Sequence, residues 1–126
     1  MNSLKLEPDL ENLYRLNDFI HEICPDDMQV DLIVEEIFVN IVSYSGAEYV
    51  IVNADYTDER LTIEFVDNGV EFNPLLKDNP SFPDNVEESK IGGLGIYLSK
   101  QLSDVMYYKH VECENHLTII KSVEDI

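Results

Sequence analysis

The sequence has few residues of several kinds, and each shortage argues against a class of protein. Lys and Arg number only 8, against 26 Asp and Glu, so the formal net charge is −18. Nucleic acids and anionic membranes are bound through Lys and Arg. Because this chain has few of either, both are disfavoured as partners. The sequence has no apolar run of 18 residues and no N-terminal signal pattern, so we expect a cytoplasmic protein.

Cysteine and histidine are scarce too. Cys24 and Cys113 are too few for a disulfide framework, and we expect two reduced thiols. No Cys or His spacing is typical of zinc ligands. A small anionic ligand is still compatible with the net charge if backbone amides and a cation offset its own charge. A partner protein is expected to bring basic residues.

The first 46 residues are dominated by helical patterns. A short edge strand is predicted at residues 4–6, followed by a helix over residues 9–24. A second helix, N-capped by Asp26 or Asp27, is predicted to run to about Ser45 and to end at Gly46.

The rest of the chain alternates between strand patterns, a long loop and one helix. The predicted elements are strands at 49–52 and 61–66, a helix from about 93–95 to about 102 or 104, and strands at 105–111 and 116–121. The last two strands are expected to turn at Glu114 and Asn115. Residues 70–91 hold three prolines among polar residues and are interpreted as a lid. The order predicts a single domain over residues 1–126, an α/β (α+β) two-layer sandwich with helices on one face of a mixed, mostly antiparallel sheet.

The second helix carries two polar residues on one face. Glu36 and Asn40 are one turn apart, in a helix that is apolar around much of its circumference. A carboxylate and an amide among aliphatic neighbours need water, a partner or a ligand, because burying them bare is costly. A solvated polar stripe is the alternative.

Two glycine-containing motifs follow. Asp67 ends a predicted strand beside Gly69, where a carboxylate can accept a hydrogen bond from an exocyclic amine such as that of adenine. A simple Asn-Gly turn is the alternative. Gly92, Gly93 and Gly95 introduce the third helix, whose free N–H groups suit phosphate, whereas a plain hinge is the alternative. The glycine run is neither a P-loop nor a Rossmann fingerprint.

Taken in order, the three motifs resemble those of the ATPase superfamily that includes DNA gyrase, histidine kinases and MutL (GHKL). The helix motif resembles its N box, and the strand-end motif with Phe72-Asn73-Pro74 looks like its adenine-binding box. The glycine run resembles its second glycine box. The resemblance covers residues 10–121 and implies a Bergerat-type ATP-binding fold.

Within that superfamily the sequence is most similar to bacterial anti-sigma factor serine/threonine kinases. The similarity rests on the chain length, the short Phe-Asn-Pro motif and the run of residues 93–102. It implies a kinase that regulates transcription through partner switching, with ATP and Mg²⁺ as cofactors. The implied partner is an anti-anti-sigma protein of the STAS type, a sigma factor, or both, and a homodimer is compatible with the resemblance.

The resemblance also implies a role for each motif residue. Glu36 would be the general base that activates the attacking hydroxyl. The other implied roles are Asn40 for Mg²⁺, Asp67 for the adenine amino group, Gly69 for close approach of the base, and Gly92, Gly93 and Gly95 for the hinge around the phosphates.

Two features depart from the family pattern. Tyr44 stands one turn after Asn40, where His or Lys is common, and residues 78–89 are unusually acidic, with only Lys77 and Lys90 as nearby cations. Both weigh against efficient phosphoryl transfer more than against nucleotide binding. The alternatives are therefore a non-catalytic, nucleotide-gated protein-binding module, a detached histidine kinase catalytic domain, or an acidic interaction domain without a ligand.

Overall fold

The computed structural model describes residues 2–71 and 94–124, with the backbone alone for residues 94–97. The elements are β1 (Asn2–Leu6), a 3-10 turn (Leu10–Asn12), α1 (Leu13–Ile23), α2 (Met28–Tyr44), β2 (Val50–Thr57), β3 (Arg60–Asp67), α3 (Leu94–Leu102), β4 (Val105–Val111) and β5 (Glu114–Ser122). This is the predicted order. The predicted lid, beyond its first two residues, lies outside the described residues, as do the Phe-Asn-Pro motif and the two lysines near it.

The five strands form one sheet in the order β1-β2-β3-β5-β4, and every pair of neighbours is antiparallel. Alternate residues of the central strands face the helices, and Val52, Ile63 and Ile119 are buried there with Leu16 of α1 and Phe38 of α2. The predicted two-layer α+β sandwich is confirmed. No helix in the two described ranges combines the length and apolar character needed to cross a membrane.

Local signals explain where α2 begins and ends. Oδ1 of Asp27 accepts hydrogen bonds from the backbone N–H groups of Gln29 (2.8 Å) and Val30 (3.1 Å), so Asp27 is the N-cap residue. After the C-cap residue Ser45, Gly46 has a φ of 66°, a conformation that glycine adopts at little cost. Both predicted boundaries of the second helix are confirmed.

Two-residue turns close the two hairpins. Asp58 and Glu59 join β2 to β3 with φ angles of 54° and 59°, and Glu112 and Cys113 join β4 to β5 with 52° and 65°. Positive φ at both central residues is typical of the type I′ turns that match strand twist. The prediction that the second hairpin turns at Glu114 and Asn115 is wrong, because β5 already begins at Glu114. The turn preference of Asn misled the sequence reading, since Asn115 lies within the ladder.

Candidate functional site

A cavity lies between the C-terminal half of α2 and one end of the sheet. Asn40 and Asp67, both predicted site residues, lie in its wall. The other described residues that line it are Ile37, Ile41, Tyr44, Ser45, Val70, Tyr108, Asn115 and Leu117. The cavity thus combines apolar walls with a few polar groups, which is the usual composition of a site for a small organic ligand.

Asp67 is a buried, hydrogen-bonded residue of the cavity wall. It is the last residue of β3, and the register places it opposite Asn115 of β5. The residue is 5% exposed, and its Oδ1 accepts hydrogen bonds from the backbone N–H of Gly69 (2.9 Å) and from Nδ2 of Asn115 (3.1 Å). None of the described residues donates to Oδ2, so this oxygen is available to accept a hydrogen bond from a ligand.

Asn115 connects Asp67 to the chain that leaves β3. Its Nδ2 also donates to the backbone carbonyl of Val70 (2.8 Å) and, at a longer 3.4 Å, to that of Gly69. Its Oδ1 accepts a hydrogen bond from the hydroxyl of Tyr108 on β4. The side chain of Asn115 therefore links three parts of the cavity wall.

Gly69 is required where the end of β3 meets the end of α2. A Cβ atom on Gly69 would lie 2.3 Å from the carbonyl oxygen of Ser45 and 2.5 Å from its Cβ, so no side chain fits without backbone movement. The same contact allows the N–H of Val70 to donate to the carbonyl of Ser45 (2.8 Å), one of the carbonyls left free at the C-terminus of α2. This packing role was not part of the sequence prediction for Gly69.

Glu36 and Asn40 lie on α2 as predicted, one turn apart and both partly buried. Neither forms a hydrogen bond or ion pair with any described residue. Asn40 faces the cavity, whereas Glu36 lies one turn earlier on α2 and is not among the described residues of the cavity wall. The neighbouring carboxylate of Glu35 is exposed.

The glycine run is described only in part. Gly95 is the second residue of α3, which packs against α2, the helix that carries Glu36 and Asn40. Gly92 and Gly93 lie outside the described residues. The predicted start of the third helix at residues 93–95 is confirmed, since α3 begins at Leu94.

Sequence reasoning missed Asn115 and Tyr108 as parts of this site. The alternation of Asn115, Leu117 and Ile119 could have indicated the first, because residues two apart on a strand share a face. Tyr108 has no such signal. Its position depends on the β4–β5 register, in which it is paired with Leu117, two residues from Asn115.

Comparison with known proteins identifies the family. The profile of the histidine kinase-like ATPase domain matches residues 6–121, and the chain belongs to this family. It is thus an ATP-binding domain of the GHKL class. No match was found among curated proteins.

Two solved structures share the fold. The catalytic domain of histidine kinase ThkA is similar over 97% of this chain and 97% of its own, with a TM-score of 0.60 and 10% sequence identity. The Acinetobacter baumannii histidine kinase AdeS is similar over 99% of this chain and 69% of its own, with a TM-score of 0.54 and 12% identity. At such low identities the similarity concerns the fold alone.

Proposed function

We propose that the chain is an ATP-dependent serine/threonine protein kinase of the anti-sigma factor type, which regulates transcription through partner switching. The observation that carries the nucleotide part of this proposal is that Asn40 and Asp67, which are 27 residues apart in sequence, line one cavity. The choice of kinase class rests on the sequence resemblance and on the presence of Glu36 one turn before Asn40.

The cavity fits an adenine base by its chemistry. Oδ2 of Asp67 is an acceptor without a described donor, and the exocyclic amine of adenine is a donor. Ile41 and Leu117 offer apolar side chains to the faces of a flat ring. A base with a carbonyl in place of that amine would set an acceptor against the carboxylate, so the site is expected to favour adenine.

The polar face of α2 suits the phosphate end of the nucleotide. Mg²⁺ is usually held by one or two protein oxygens together with substrate phosphates, and the amide oxygen of Asn40 is such a ligand. When bound, Mg²⁺ offsets the negative charge of the phosphates. Glu36 would accept the proton of a serine or threonine hydroxyl presented by the partner, with Asn40 one turn away.

The partner is expected to be an anti-anti-sigma protein of the STAS type, and the alternate partner a sigma factor. The net charge of −18 favours a partner whose contact surface is basic, because opposite charges accelerate association and select against wrong partners. The binding should therefore weaken as salt concentration rises.

Transfer of labelled phosphate from ATP to a STAS-type partner tests the kinase assignment. We expect Glu36→Gln to lower the transfer rate at least about 100-fold while ATP still binds, because the general base is lost. Glu35→Gln is the matched control, since this neighbouring carboxylate is exposed on another side of α2 and its loss should leave the rate unchanged. Equal rates for the Glu36 and Glu35 variants would remove Glu36 from the catalytic role.

A second candidate function is a nucleotide-gated module that holds a partner without chemistry. It is favoured by the position of Glu36 outside the described cavity wall and by the half-exposed Tyr44 at that wall. ATP binding that changes partner affinity, with no phosphate transfer to STAS-type or sigma partners, would favour this function over the kinase.

A further inference from the structure

We propose that Asn115, oriented by Tyr108, is a positioning residue that turns Oδ2 of Asp67 toward the cavity and thereby sets the preference for adenine. The inference rests on the proposed nucleotide site and names two residues that determine its specificity. Neither residue belongs to a motif that the sequence analysis identified.

The surroundings of Asn115 allow only one orientation of its amide. On one side lie the carboxylate of Asp67 and the backbone carbonyls of Gly69 and Val70, all of which are acceptors. On the other side lies the hydroxyl of Tyr108, which donates to Oδ1. A flipped amide would set its oxygen against three acceptors, so the amide must present Nδ2 to Asp67.

This arrangement determines which oxygen of Asp67 faces the ligand. Oδ1 already accepts two hydrogen bonds, from Asn115 and from the N–H of Gly69, and it is therefore held away from the ligand. A carboxylate fixed at one oxygen cannot rotate freely, and its second oxygen keeps a defined direction. Without the Asn115 contact, Asp67 could turn, or admit a water that bridges to a carbonyl-bearing base.

The opposite face of the sheet offers matched controls. Asn53 donates to Oε1 of Glu64 (2.9 Å), as Asn115 does to Asp67, and the hydroxyl of Tyr49 donates to the carboxylate of Glu114, so an Asn donor and a Tyr donor also occur outside the cavity wall. Asn53→Asp and Tyr49→Phe therefore make the same chemical changes as Asn115→Asp and Tyr108→Phe. Neither control residue lines the cavity.

The test is a titration of the full chain with ATP and with inosine triphosphate (ITP), in which a carbonyl replaces the amine of adenine. For the wild-type chain we expect ATP to bind at least about tenfold more tightly than ITP, the effect of one well-placed hydrogen bond. Tyr108→Phe should reduce this ratio about threefold to tenfold. Asn115→Asp, which places a second carboxylate beside Asp67, should abolish the preference for ATP, so that the ratio of the two affinities falls to about one. The two controls should keep the wild-type ratio.

A purely structural role would lower the affinities for ATP and ITP by the same factor and leave their ratio unchanged, and that result would overturn the inference. Tyr108→Phe retains the aromatic ring, so the test stands even if Asn115→Asp fails to fold. Asp67→Asn separates this inference from the proposed site. If Asp67→Asn weakens ATP binding and Tyr108→Phe keeps the ratio, only the positioning role fails; if Asp67→Asn has no effect, the proposed site fails as well.

Discussion

The two ends of the proposed nucleotide site, the base end at Asp67 and Asn115 and the phosphate end at Glu36 and Asn40, are built in different ways. At the base end, Asp67 and Asn115 are each 5% exposed and hydrogen-bonded to each other and to the backbone. At the proposed phosphate end, Asn40 of the cavity wall and Glu36, which lies outside that wall, are only partly buried and form no hydrogen bond with any residue in the described ranges.

The difference indicates how each end would work. A buried network held by several hydrogen bonds has little freedom, so the base end is organised before a ligand arrives. The other end presents polar groups that remain solvated until a cation and phosphates bind. Substitutions at the base end should therefore affect stability as well as binding, whereas substitutions at the phosphate end should affect binding alone.

The largest effect is expected for Gly69→Ala. The new Cβ would meet backbone atoms of Ser45 that cannot move independently, so we expect a loss of about 3 kcal/mol in the free energy of unfolding. Gly46→Ala is the control, because nothing lies within 4 Å of its Cβ position and only its φ of 66° is unfavourable, at a cost of about 1 kcal/mol. Urea denaturation measures both, and equal losses would show that the contact between Gly69 and Ser45 is not tight.

A pair of alanine substitutions compares the two ends directly. Asn115→Ala removes one of the two donors to Oδ1 of Asp67 and the side-chain donor to the carbonyl of Val70, and should cost about 2 kcal/mol of unfolding free energy. Asn40→Ala breaks no described hydrogen bond and should leave stability within about 0.5 kcal/mol of the wild type, since Ala also favours the helix. The same urea experiment would contradict the comparison if Asn40→Ala proved as destabilising as Asn115→Ala.

ATP binding should reveal the effect of the Asn40 substitution, which stability does not. Asn40→Ala is expected to weaken ATP about tenfold in the presence of Mg²⁺ and to have little effect when EDTA removes the metal. Calorimetric titration under both conditions gives the two affinities. An equal loss with and without Mg²⁺ would show that Asn40 contacts the nucleotide in some other way.

The smallest effect lies outside the cavity, at the junction of α1 and α2. A hydrogen bond between Nε2 of His21 and Oδ1 of Asp31 (2.8 Å) raises the pKa of His21 above its usual 6.5, so protonated His21 stabilises the fold. This contribution is fully present below pH 6.5 and is lost as the pH rises through the raised pKa. Because the side chain of His21 is 37% exposed, solvent screening limits the effect to roughly 0.3 kcal/mol.

The stability difference between wild type and His21→Gln, measured at about pH 5.5 and pH 8, tests this contribution. The difference should shrink at the higher pH, and the two chains should bind ATP equally at both. A pH-dependent difference in ATP affinity between the two chains would show that the junction of α1 and α2 influences the cavity, and it would contradict the expectation that the two act independently.

The sequence was sufficient to predict most of the architecture. The helix stop at Gly46, the N-cap at Asp27 and the alternating strands are local signals, and each indicated the correct element. Asn40 and Asp67 could be assigned to one site because their motifs occur in a known order, and the structure brings both to one cavity. These predictions depend on short-range preferences or on family resemblance.

The network around Asp67 could not be predicted, because it depends on strand register. The hairpin turn at Glu112 and Cys113 uses residues with no strong preference for positive φ, so neither the turn nor the register that follows could be read from local composition. A shift of one residue would move Asn115 to the other face of the sheet, away from Asp67. Cross-strand pairing, which only the whole sheet determines, creates the network around Asp67 that local patterns do not predict.

Titration of the full chain with ATP, for the wild type and for Asp67→Asn, tests adenine recognition by this cavity. We expect the wild type to bind and the variant to lose at least about tenfold in affinity, because an amide nitrogen or a less basic oxygen replaces the carboxylate acceptor. Equal affinities for the two chains, or no ATP binding by the wild type, would contradict the assignment of Asp67 as the adenine contact.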